Sequence, residues 1–370
     1  MKILQVSSAR HFGGGERHLA DLARGLAERG HEIYAALRPG SPLLTELTSL
    51  GPNNIIELPL KNALDVRSAL RLSRFVRERG VEIVHAHVAR DYPLAALAAR
   101  RSRNARFVIT RHVLFPLGRA HRLALADVSR VVAVSEAVAR SLRARKIFPD
   151  DKIRVVPNGI DVRKFAEARR ASEEERRRPG PQTQIPLRVG TVGELSEVKG
   201  QDIFIRAARL VAERFGGPVE FVIVGDEASS GGGRRAALEG LAGELGLTTQ
   251  VRFEGQSVDV PRLLVSLDVF VSASRSEAFG IALVEAMAAG LAVVATATEG
   301  AREIIDEGRT GLIVPVGDAE SLAAAVSELL EDQARRRELG ERASENAAER
   351  FSLERMLADT ERVYFEALGL

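Results

Sequence analysis

The chain has 370 residues, of which 45% are hydrophobic, and its formal net charge is +3. This length favours two domains, and the apolar content is enough for two ordinary cores. No stretch approaches the roughly 18 to 20 apolar residues that a membrane span needs, and the absence of cysteine excludes disulfides and thiolate metal sites. The first residues enter a strand pattern without the segments of a secretory signal, so we expect a cytoplasmic protein.

The net charge is small because two opposite halves cancel. Residues 1–165 hold 29 Lys and Arg against 15 Asp and Glu, whereas the remaining residues hold 24 against 35. A basic half suits an anionic substrate, an anionic membrane surface or a nucleic acid. Solvated, arginine-rich helix faces are the alternative explanation.

Apolar, β-branched runs alternate with amphipathic stretches through the first half of the chain. Strands are predicted at residues 3–7, 32–37, 55–58, 82–87, 106–110, 131–134 and 153–156. Helical patterns lie between them, among them residues 66–79 and 92–101. This alternation is typical of a parallel, doubly wound sheet, which binds ligands beyond the carboxyl ends of its strands.

A glycine loop follows the first strand. Gly13, Gly14 and Gly15 precede a helical pattern, where glycine lets the backbone approach a ligand and the helix N-terminus offers unpaired amides. The spacing is not the G-x-G-x-x-G of a dinucleotide site. A tight turn without a ligand is the alternative.

Histidines stand at the ends of two further strands. His85 and His87 end the strand at 82–87, and we expect one to be structural and the other to line the site, without a shared metal ion. His112 follows the strand at 106–110. A hydrogen-bonded structural histidine is the alternative there.

A charged, proline-containing stretch separates the two halves. We place a first domain at 1–165, a linker at 166–186, a second domain at 187–350 and a C-terminal helix at 351–370. The second domain repeats the order strand, loop, helix. Its strands are predicted at residues 187–193, 219–224, 251–254, 269–273, 291–296 and 312–314.

Residues 268–290 carry the most specific pattern. A short apolar run ends in a polar loop that holds Glu277, and Phe279 and Gly280 then turn the chain into a helix that contains Glu285. Two carboxylates would therefore flank a helix N-terminus at the carboxyl end of a strand. Two solvated glutamates beside an ordinary turn are the alternative.

The spacing of these two glutamates, in EAFGIALVE, resembles the E-x7-E motif of retaining glycosyltransferases of family 4. Other stretches are similar to motifs of the same family: G-G-x-E after the first strand, T-R-H at 110–112, V-P-N-G-I-D at 156–161 and K-G at 199–200. The resemblance implies the α/β GT-B fold, with two facing Rossmann-like, doubly wound parallel-sheet domains. It also implies a C-terminal helix that crosses back to the first domain.

The resemblance implies roles for individual residues of the second domain. In the family the first glutamate contacts hydroxyls of the donor sugar and the second binds the ribose, which assigns these roles to Glu277 and Glu285. The backbone amides after Phe279 and Gly280 would receive the diphosphate. Lys199 would neutralise the diphosphate as it leaves.

Further positions follow from the same resemblance. His112 matches a histidine near the reacting centre, and Gly14 and Gly15 lie in a loop that borders the donor phosphates and the acceptor. Glu194 stands where the family commonly has an arginine. A carboxylate there would repel a diphosphate, so the usual phosphate clamp is incomplete.

The implied reaction is a retaining transfer from a nucleotide sugar to a glycan or lipid-linked acceptor, as in cell-envelope polysaccharide or lipopolysaccharide synthesis. We expect no metal ion and no further cofactor, because Lys199 and helix N-terminal amides can neutralise the diphosphate. A hydrolysing sugar-nucleotide epimerase of the same fold and a non-catalytic two-domain sugar-binding protein are the alternatives.

A basic segment lies between residues 100 and 122, where no Asp or Glu occurs. Its arginines, interleaved with apolar residues, are Arg100, Arg101, Arg103, Arg106, Arg111, Arg119 and Arg122. If exposed, such a segment attracts an anionic lipid surface, so we expect peripheral contact with the inner face of the cytoplasmic membrane. The segment lacks a series of aromatic residues on which bases could stack, so no nucleic acid is expected.

Overall fold

The computed structural model describes the chain except for residues 103, 116, 119, 120, 177–185, 228–231 and 258, and except for the side chains of residues 122, 123 and 176. The described residues form two compact units. Unit 1 comprises Met1–Gly159 and Leu353–Leu370, and unit 2 comprises Ile160–Ser352. Each unit has helices packed on one parallel sheet.

The sheet of unit 1 contains seven parallel strands among the described residues, in the order β3-β2-β1-β4-β5-β6-β7. The strands are β1 (Lys2–Ser7), β2 (Glu32–Leu37), β3 (Ile55–Glu57), β4 (Ile83–Ala86), β5 (Arg106–Arg111), β6 (Arg130–Ala133) and β7 (Ile153–Val155). Their ends lie within one residue of the predicted ends. Strands buried on both faces carry near-continuous apolar runs, which explains why they are readily predicted.

The helices of unit 1 are α1 (Gly14–Glu28), α2 (Leu43–Glu46), α3 (Val66–Arg79), α4 (Tyr92–Arg100), α5 (His121–Ala124), α6 (Glu136–Arg145) and α15 (Leu353–Leu368). Side chains cap the first turn of α3 and of α6. For example, α3 begins after Asp65, whose side chain accepts from the Ser68 amide over 3.1 Å. It ends at Gly80, which adopts the left-handed conformation.

The C-terminal helix α15 belongs to unit 1, as the predicted crossover requires. Leu357 packs so closely on α1 that a Cβ at Gly25 would lie 2.5 Å from it. The Tyr364 side chain is fully buried, and its hydroxyl lies 2.7 Å from His85 Nδ1. Glu366 accepts from Arg154 Nε over 2.8 Å. The last helix is therefore part of the core of unit 1.

The sheet of unit 2 contains six parallel strands in the described part of the chain, in the order β10-β9-β8-β11-β12-β13. The strands are β8 (Leu187–Val192), β9 (Val219–Val224), β10 (Val251–Phe253), β11 (Val269–Ser272), β12 (Ala292–Thr296) and β13 (Leu312–Val314). The helices are α7 (Val162–Arg176), α8 (Gln201–Arg214), α9 (Arg234–Glu244), α10 (Val260–Leu264), α11 (Ile281–Ala288), α12 (Glu299–Ile304), α13 (Ala319–Glu331) and α14 (Gln333–Arg350). In the described ranges, no helix combines the length and the apolar character that crossing a membrane requires.

The structure differs from the expected linker at 166–186. Residues 166–176 continue α7, which packs against α10 and α11 of unit 2. This stretch is rich in Ala, Glu and Arg, which have high helix propensity, although its charge and scarcity of apolar residues resemble a linker. Residues 177–185 lie outside the described part of the chain.

Candidate functional site

Each sheet reverses its strand order at its centre, between β1 and β4 in unit 1 and between β8 and β11 in unit 2. In open parallel sheets a crevice forms beyond the carboxyl ends of the strands at such a reversal, and ligands bind there. The residues selected from the sequence fall into two groups, one near each reversal point.

The loop after β8 brings Lys199 to the reversal point of unit 2. This residue ends a short 3-10 turn and is followed by Gly200, whose φ of 66° is left-handed. A Cβ at Gly200 would lie 2.1 Å from the carbonyl oxygen of Ala273, just after β11. Only glycine therefore lets the β8 loop approach β11 so closely.

Lys199 and Glu277 form an ion pair at this point. Lys199 Nζ donates to Glu277 Oε2 over 2.6 Å, and Ser274 Oγ lies 3.4 Å from the same oxygen. The side chains of Lys199 and Glu277 are 33% and 18% exposed, so a solute can reach both. The structure thus brings together the residues that the sequence analysis assigns to the diphosphate and the sugar.

Phe279 and Gly280 turn the chain from the β11 loop into α11. Gly280 has a φ of 116°, which residues with a Cβ rarely adopt. Phe279 is buried, and its ring packs edge-to-face on Phe351 with centroids 5.6 Å apart. A Cβ at Gly300 would lie 2.2 Å from the Phe279 carbonyl oxygen. Gly280 has no side chain to cap the N-terminus of α11, and a helix N-terminus favours an anion.

Glu285 and Glu194 differ in their surroundings. Glu285 lies in α11 and is only 6% exposed, as expected of a carboxylate with a dedicated partner. Glu194 is exposed, and its backbone carbonyl accepts from Gln201 Nε2 over 2.8 Å. That bond anchors the loop through its backbone, so packing does not dictate the side chain at position 194.

An ion pair beside this group was missed by the sequence analysis. Arg275, in the β11 loop, donates to the two carboxylate oxygens of Asp202 in α8 over 2.9 and 2.7 Å. The Arg275 guanidinium lowers the pKa of Asp202 below its ordinary value. The pair joins the β11 loop to the first turn of α8. Its only signal in the sequence is an arginine two residues before Glu277 and an aspartate two residues after Gly200.

Histidines cluster at the reversal point of unit 1. His87 directly follows β4 and His112 directly follows β5, as predicted. His18 in α1, which the sequence analysis did not select, lies with its ring centroid 4.9 Å from that of His112 and 5.8 Å from that of His87. Gly14 begins α1, and a Cβ at Gly15 would lie 3.6 Å from the His112 ring. Gly15 therefore packs against the histidine predicted to lie near the reacting centre.

Hydrogen bonds orient the histidines. His87 Nε2 lies 2.8 Å from Gln5 Oε1, and His87 Nδ1 lies 3.3 Å from His112 Nε2. Because an amide oxygen only accepts, His87 carries its proton on Nε2 and offers a lone pair at Nδ1. His85 is the structural member, since its two ring nitrogens lie 2.7 Å from the hydroxyls of Tyr364 and Thr110.

Burial lowers the pKa of these histidines. The pKa of His18 falls to about 4 and that of His85 to about 3. For His87 and His112 the pKa lies well below its ordinary value, because neighbouring histidines add to the effect of burial. The Asn158 side chain acts in the opposite direction and raises the pKa of His18. Among the described residues, however, neither Asn158 Oδ1 nor the two ring nitrogens of His18 meet hydrogen-bond geometry.

Asp91 joins two loops at the same edge of the sheet. It ends a short 3-10 turn that follows β4, and it is fully buried. Its Oδ2 accepts from the Ser8 amide, just after β1, over 2.7 Å. Burial raises the pKa of Asp91 to about 6.

The structure divides the basic segment of residues 100–122. Arg101 and Arg106 are exposed, and Phe115 is 73% exposed. Arg111 is buried and donates to the Phe115 carbonyl, so its assignment to an exposed basic surface is wrong. Arg111 is the last residue of β5, a strand that is buried in unit 1 from its second residue onward. The structure does not describe Arg103, Arg119 or the side chain of Arg122.

Two cavities of about 310 and 300 Å³ in unit 1 lie away from the two groups of predicted site residues. Both are lined by Arg106, Asp127 and Ser129, at the amino-terminal ends of β5 and β6. Parallel sheets bind their ligands at the opposite, carboxyl-terminal edge. Neither cavity is therefore assigned to the function.

Comparison with known proteins agrees with this arrangement. The family described as glycosyl transferases group 1 matches residues 172–349, and glycosyltransferase family 4 matches residues 12–164. D-inositol 3-phosphate glycosyltransferase of Corynebacterium urealyticum is 30% identical over 95% of this chain and 90% of its own length. The lipopolysaccharide core biosynthesis glycosyltransferase LpsE of Rhizobium meliloti is 29% identical over 93% and 94%.

Solved structures share the whole fold. A glycosyltransferase from Rickettsia africae superposes with a TM-score of 0.85 at 24% identity, over 99% of this chain and 98% of that one. Anabaena HepE in complex with UDP and glucose superposes with a TM-score of 0.83 at 22% identity, over 98% of each chain. The two parallel sheets, the two family matches and the 30% identical relative together show that this chain is a GT-B glycosyltransferase and belongs to glycosyltransferase family 4.

Proposed function

We propose that the chain transfers a sugar, with retention of anomeric configuration, from a nucleotide sugar to a glycan or lipid-linked acceptor of the cell envelope. The observation that carries the proposal is the Lys199–Glu277 ion pair beside the N-terminus of α11, at the reversal point of unit 2. The complex of HepE with UDP and glucose supports the donor class. The relative LpsE, named for lipopolysaccharide core biosynthesis, supports the acceptor class.

The diphosphate of the donor fits the N-terminal end of α11. The helix amides after Gly280 and the Lys199 ammonium both favour an anion. Lys199 is paired with Glu277 in the structure, and a bound diphosphate would share this ammonium. Glu277 could then accept hydrogen bonds from hydroxyls of the sugar, while the buried Glu285 would accept from the ribose.

The transfer itself requires little chemistry from the protein. The bond between the anomeric carbon and the diphosphate oxygen breaks, and the acceptor oxygen bonds to the same face of that carbon. The acceptor proton passes to the leaving phosphate oxygen. Negative charge grows on the diphosphate during this step, so Lys199 and the α11 amides stabilise the transition state more than the bound donor.

The proposal also covers His112 and the need for a metal ion. His112 would shape the site around the reacting carbon, a role that rests on the family resemblance. No metal ion is needed for the diphosphate, because Lys199 and the helix N-terminus supply positive charge there.

Turnover with a panel of nucleotide sugars tests the proposal. The chain is incubated with UDP-, GDP-, ADP- and CMP-sugars, with and without lipid-linked glycans, and products are analysed by proton NMR. We expect acceptor-dependent transfer that persists in a chelator and keeps the anomeric configuration of the donor. Formation of an epimer without an acceptor would instead identify an epimerase. Binding of the donor without turnover would identify a sugar-binding protein. An inverted product would contradict retention.

The acceptor side of the proposal includes a membrane surface. Arg101 and Arg106, near the amino-terminal end of β5, are exposed, so these cations are available to anionic lipid. Cosedimentation should show binding to anionic but not neutral vesicles, weakened by salt. Changing Arg101 and Arg106 together to Glu should abolish it, whereas the same change at the exposed Arg206 and Arg337 of unit 2 should not. No anionic preference at low salt would favour a soluble acceptor.

A further inference from the structure

We infer that His18, His87 and His112 of unit 1 form a binding site for a divalent transition metal ion of the zinc class. One ring nitrogen from each of the three side chains lies within 4.8 Å of the others. The inference departs from the expectation that the chain uses no metal. It concerns unit 1 and not the diphosphate, and it holds whether or not the chain transfers a sugar.

The spacing of two of these ligands already matches a metal site. His87 Nδ1 and His112 Nε2 are 3.3 Å apart. Two imidazole nitrogens bound to one tetrahedral zinc ion at about 2.0 to 2.1 Å lie roughly 3.3 to 3.4 Å apart. The His18 ring nitrogen lies within 4.8 Å of both, so the third ring would move towards them to bind the same ion.

The protonation state of His87 suits metal binding. Its Nε2 donates to Gln5 Oε1 over 2.8 Å, which leaves the Nδ1 lone pair directed at the cluster. Metal-binding histidines commonly donate their other ring nitrogen to an oxygen in this way, which fixes the tautomer and the ring orientation. Gln5 is therefore the positioning residue of the proposed site.

His18 is the residue that points most directly to a missing partner. It is 2% exposed; the Asn158 side chain lies close enough to oppose the fall of its pKa, but neither ring nitrogen meets hydrogen-bond geometry with a described residue. A neutral imidazole always carries one donor and one acceptor, and leaving a buried one unused is costly. A hydrogen bond between His112 and His87 would explain their distance without a metal, but it would leave His18 unexplained.

The remaining surroundings define what kind of ion would bind. His112 is only partly buried, so an ion can enter from solvent and keep a water molecule as fourth ligand. Imidazole ligands suit zinc, copper and nickel, whereas magnesium and calcium prefer oxygen ligands. Arg111 places a positive charge near His112, so we expect weaker binding than at a closed site with four protein ligands.

Zinc titration of the full-length chain tests the inference. The protein is prepared without a histidine tag, treated with a chelator, and titrated with Zn²⁺ in a calorimeter at neutral pH. We expect one ion per chain, no heat from Mg²⁺ or Ca²⁺, and the intense visible absorption of four-coordinate Co²⁺ when cobalt replaces zinc. Absence of zinc binding by the parent chain would overturn the inference.

Variants then locate the ion. Gln5→Leu should weaken zinc binding about 10- to 100-fold, and His18→Ala or His112→Ala by more than that. His11→Ala is the matched control, because His11 is an exposed histidine outside the cluster, and it should leave the affinity unchanged. Circular dichroism checks that each variant folds. Unchanged zinc affinity in folded His18→Ala would refute the site. If a variant does not fold, the number of zinc ions bound by the parent chain and its cobalt spectrum decide whether the site exists.

Discussion

Lys199 and Glu277 lie 78 positions apart in the chain and meet because of backbone geometry at Gly200. The motif spacing identifies each residue separately, since each follows a predicted strand. Their ion pair could not be predicted, because it depends on the left-handed turn that brings the β8 loop against Ala273. His18 was missed for a similar reason: its partners come from two other elements, and only the folded sheet brings them together.

Replacing Lys199 tests the charge at the diphosphate. Lys199→Ala should lower kcat about 10²- to 10³-fold and raise the donor KM much less, because its interaction strengthens as the leaving group gains charge. Steady-state kinetics measures both constants. Lys61→Ala, at an exposed lysine of unit 1, is the control and should change neither. A raised KM with unchanged kcat would show that Lys199 only binds the donor.

Asp91 makes the stability of unit 1 depend on pH. Its pKa is about 6 in the folded chain against an ordinary value of 3.8, so between these values the folded chain retains a proton that the unfolded chain has released. The free energy of unfolding therefore falls as the pH rises through this window, by an amount on the order of 3 kcal/mol. Asp91→Asn cannot titrate and removes this loss.

Urea unfolding of the parent and Asp91→Asn at about pH 4 and about pH 7 checks this difference. Between the two pH values, the stability of the variant relative to the parent should increase by roughly the amount given above. Taking the difference cancels the titration of the histidines, which both proteins share. A difference that does not change with pH would show that Asp91 ionises normally.

At the level of elements, strands were predicted more completely than loops and charged helices. The strands are buried on both faces, so their apolar runs mark their ends closely. The first part of the expected linker proved to be α7, because helix propensity and packing on α10 and α11 outweigh its linker-like composition. The bidentate pair of Arg275 with Asp202 joins the β11 loop to the first turn of α8, and no local pattern relates these two places.

The tight approach of the β8 loop to β11 predicts a stability effect at Gly200. Gly200→Ala should lower the free energy of unfolding by at least about 2 kcal/mol, because a left-handed backbone disfavours a Cβ and the new atom would meet the Ala273 carbonyl. Gly246→Ala is the matched control. Its φ of 70° is similar but nothing lies within 4 Å of the added atom, so it should cost only about 1 kcal/mol.

Urea unfolding of the two glycine variants separates backbone strain from the steric clash. The difference between them measures the clash alone, because the backbone strain is common to both. Equal losses of stability would mean that the β8 loop moves away from β11 at little cost.

At the level of the whole molecule, the chain builds unit 1 from both of its ends. The core of unit 1 includes Met356, Leu357, Val363 and Tyr364 of α15 together with residues of the first strands. The alternation of strands and helices predicts two sheets, and the family resemblance predicts the return of the last helix. Sequence patterns alone did not reveal that Tyr364 would reach the His85 ring.

Removing α15 should therefore destabilise unit 1 selectively. Deletion of residues 353–370 exposes the apolar surface that this helix covers, so the amides of β5 and β6, which it contacts, should lose protection from hydrogen exchange. Deletion of only Gly369 and Leu370, which are exposed, is the control and should change nothing. Retained protection in the longer deletion would show that unit 1 folds without the helix.

The central claim is that a nucleotide sugar binds unit 2 through the E-x7-E segment, and calorimetric titration of Glu285→Ala tests it most directly. The titrant is whichever of the UDP-, GDP-, ADP- or CMP-sugars stabilises the parent most in a thermal-shift screen. Losing a charged hydrogen bond to the ribose should weaken binding by about 1.5 to 3 kcal/mol, which is roughly 10- to 150-fold in Kd. Glu341→Ala, at an exposed glutamate of α14, should bind like the parent. Parent-like affinity in Glu285→Ala would contradict the assignment of the donor site.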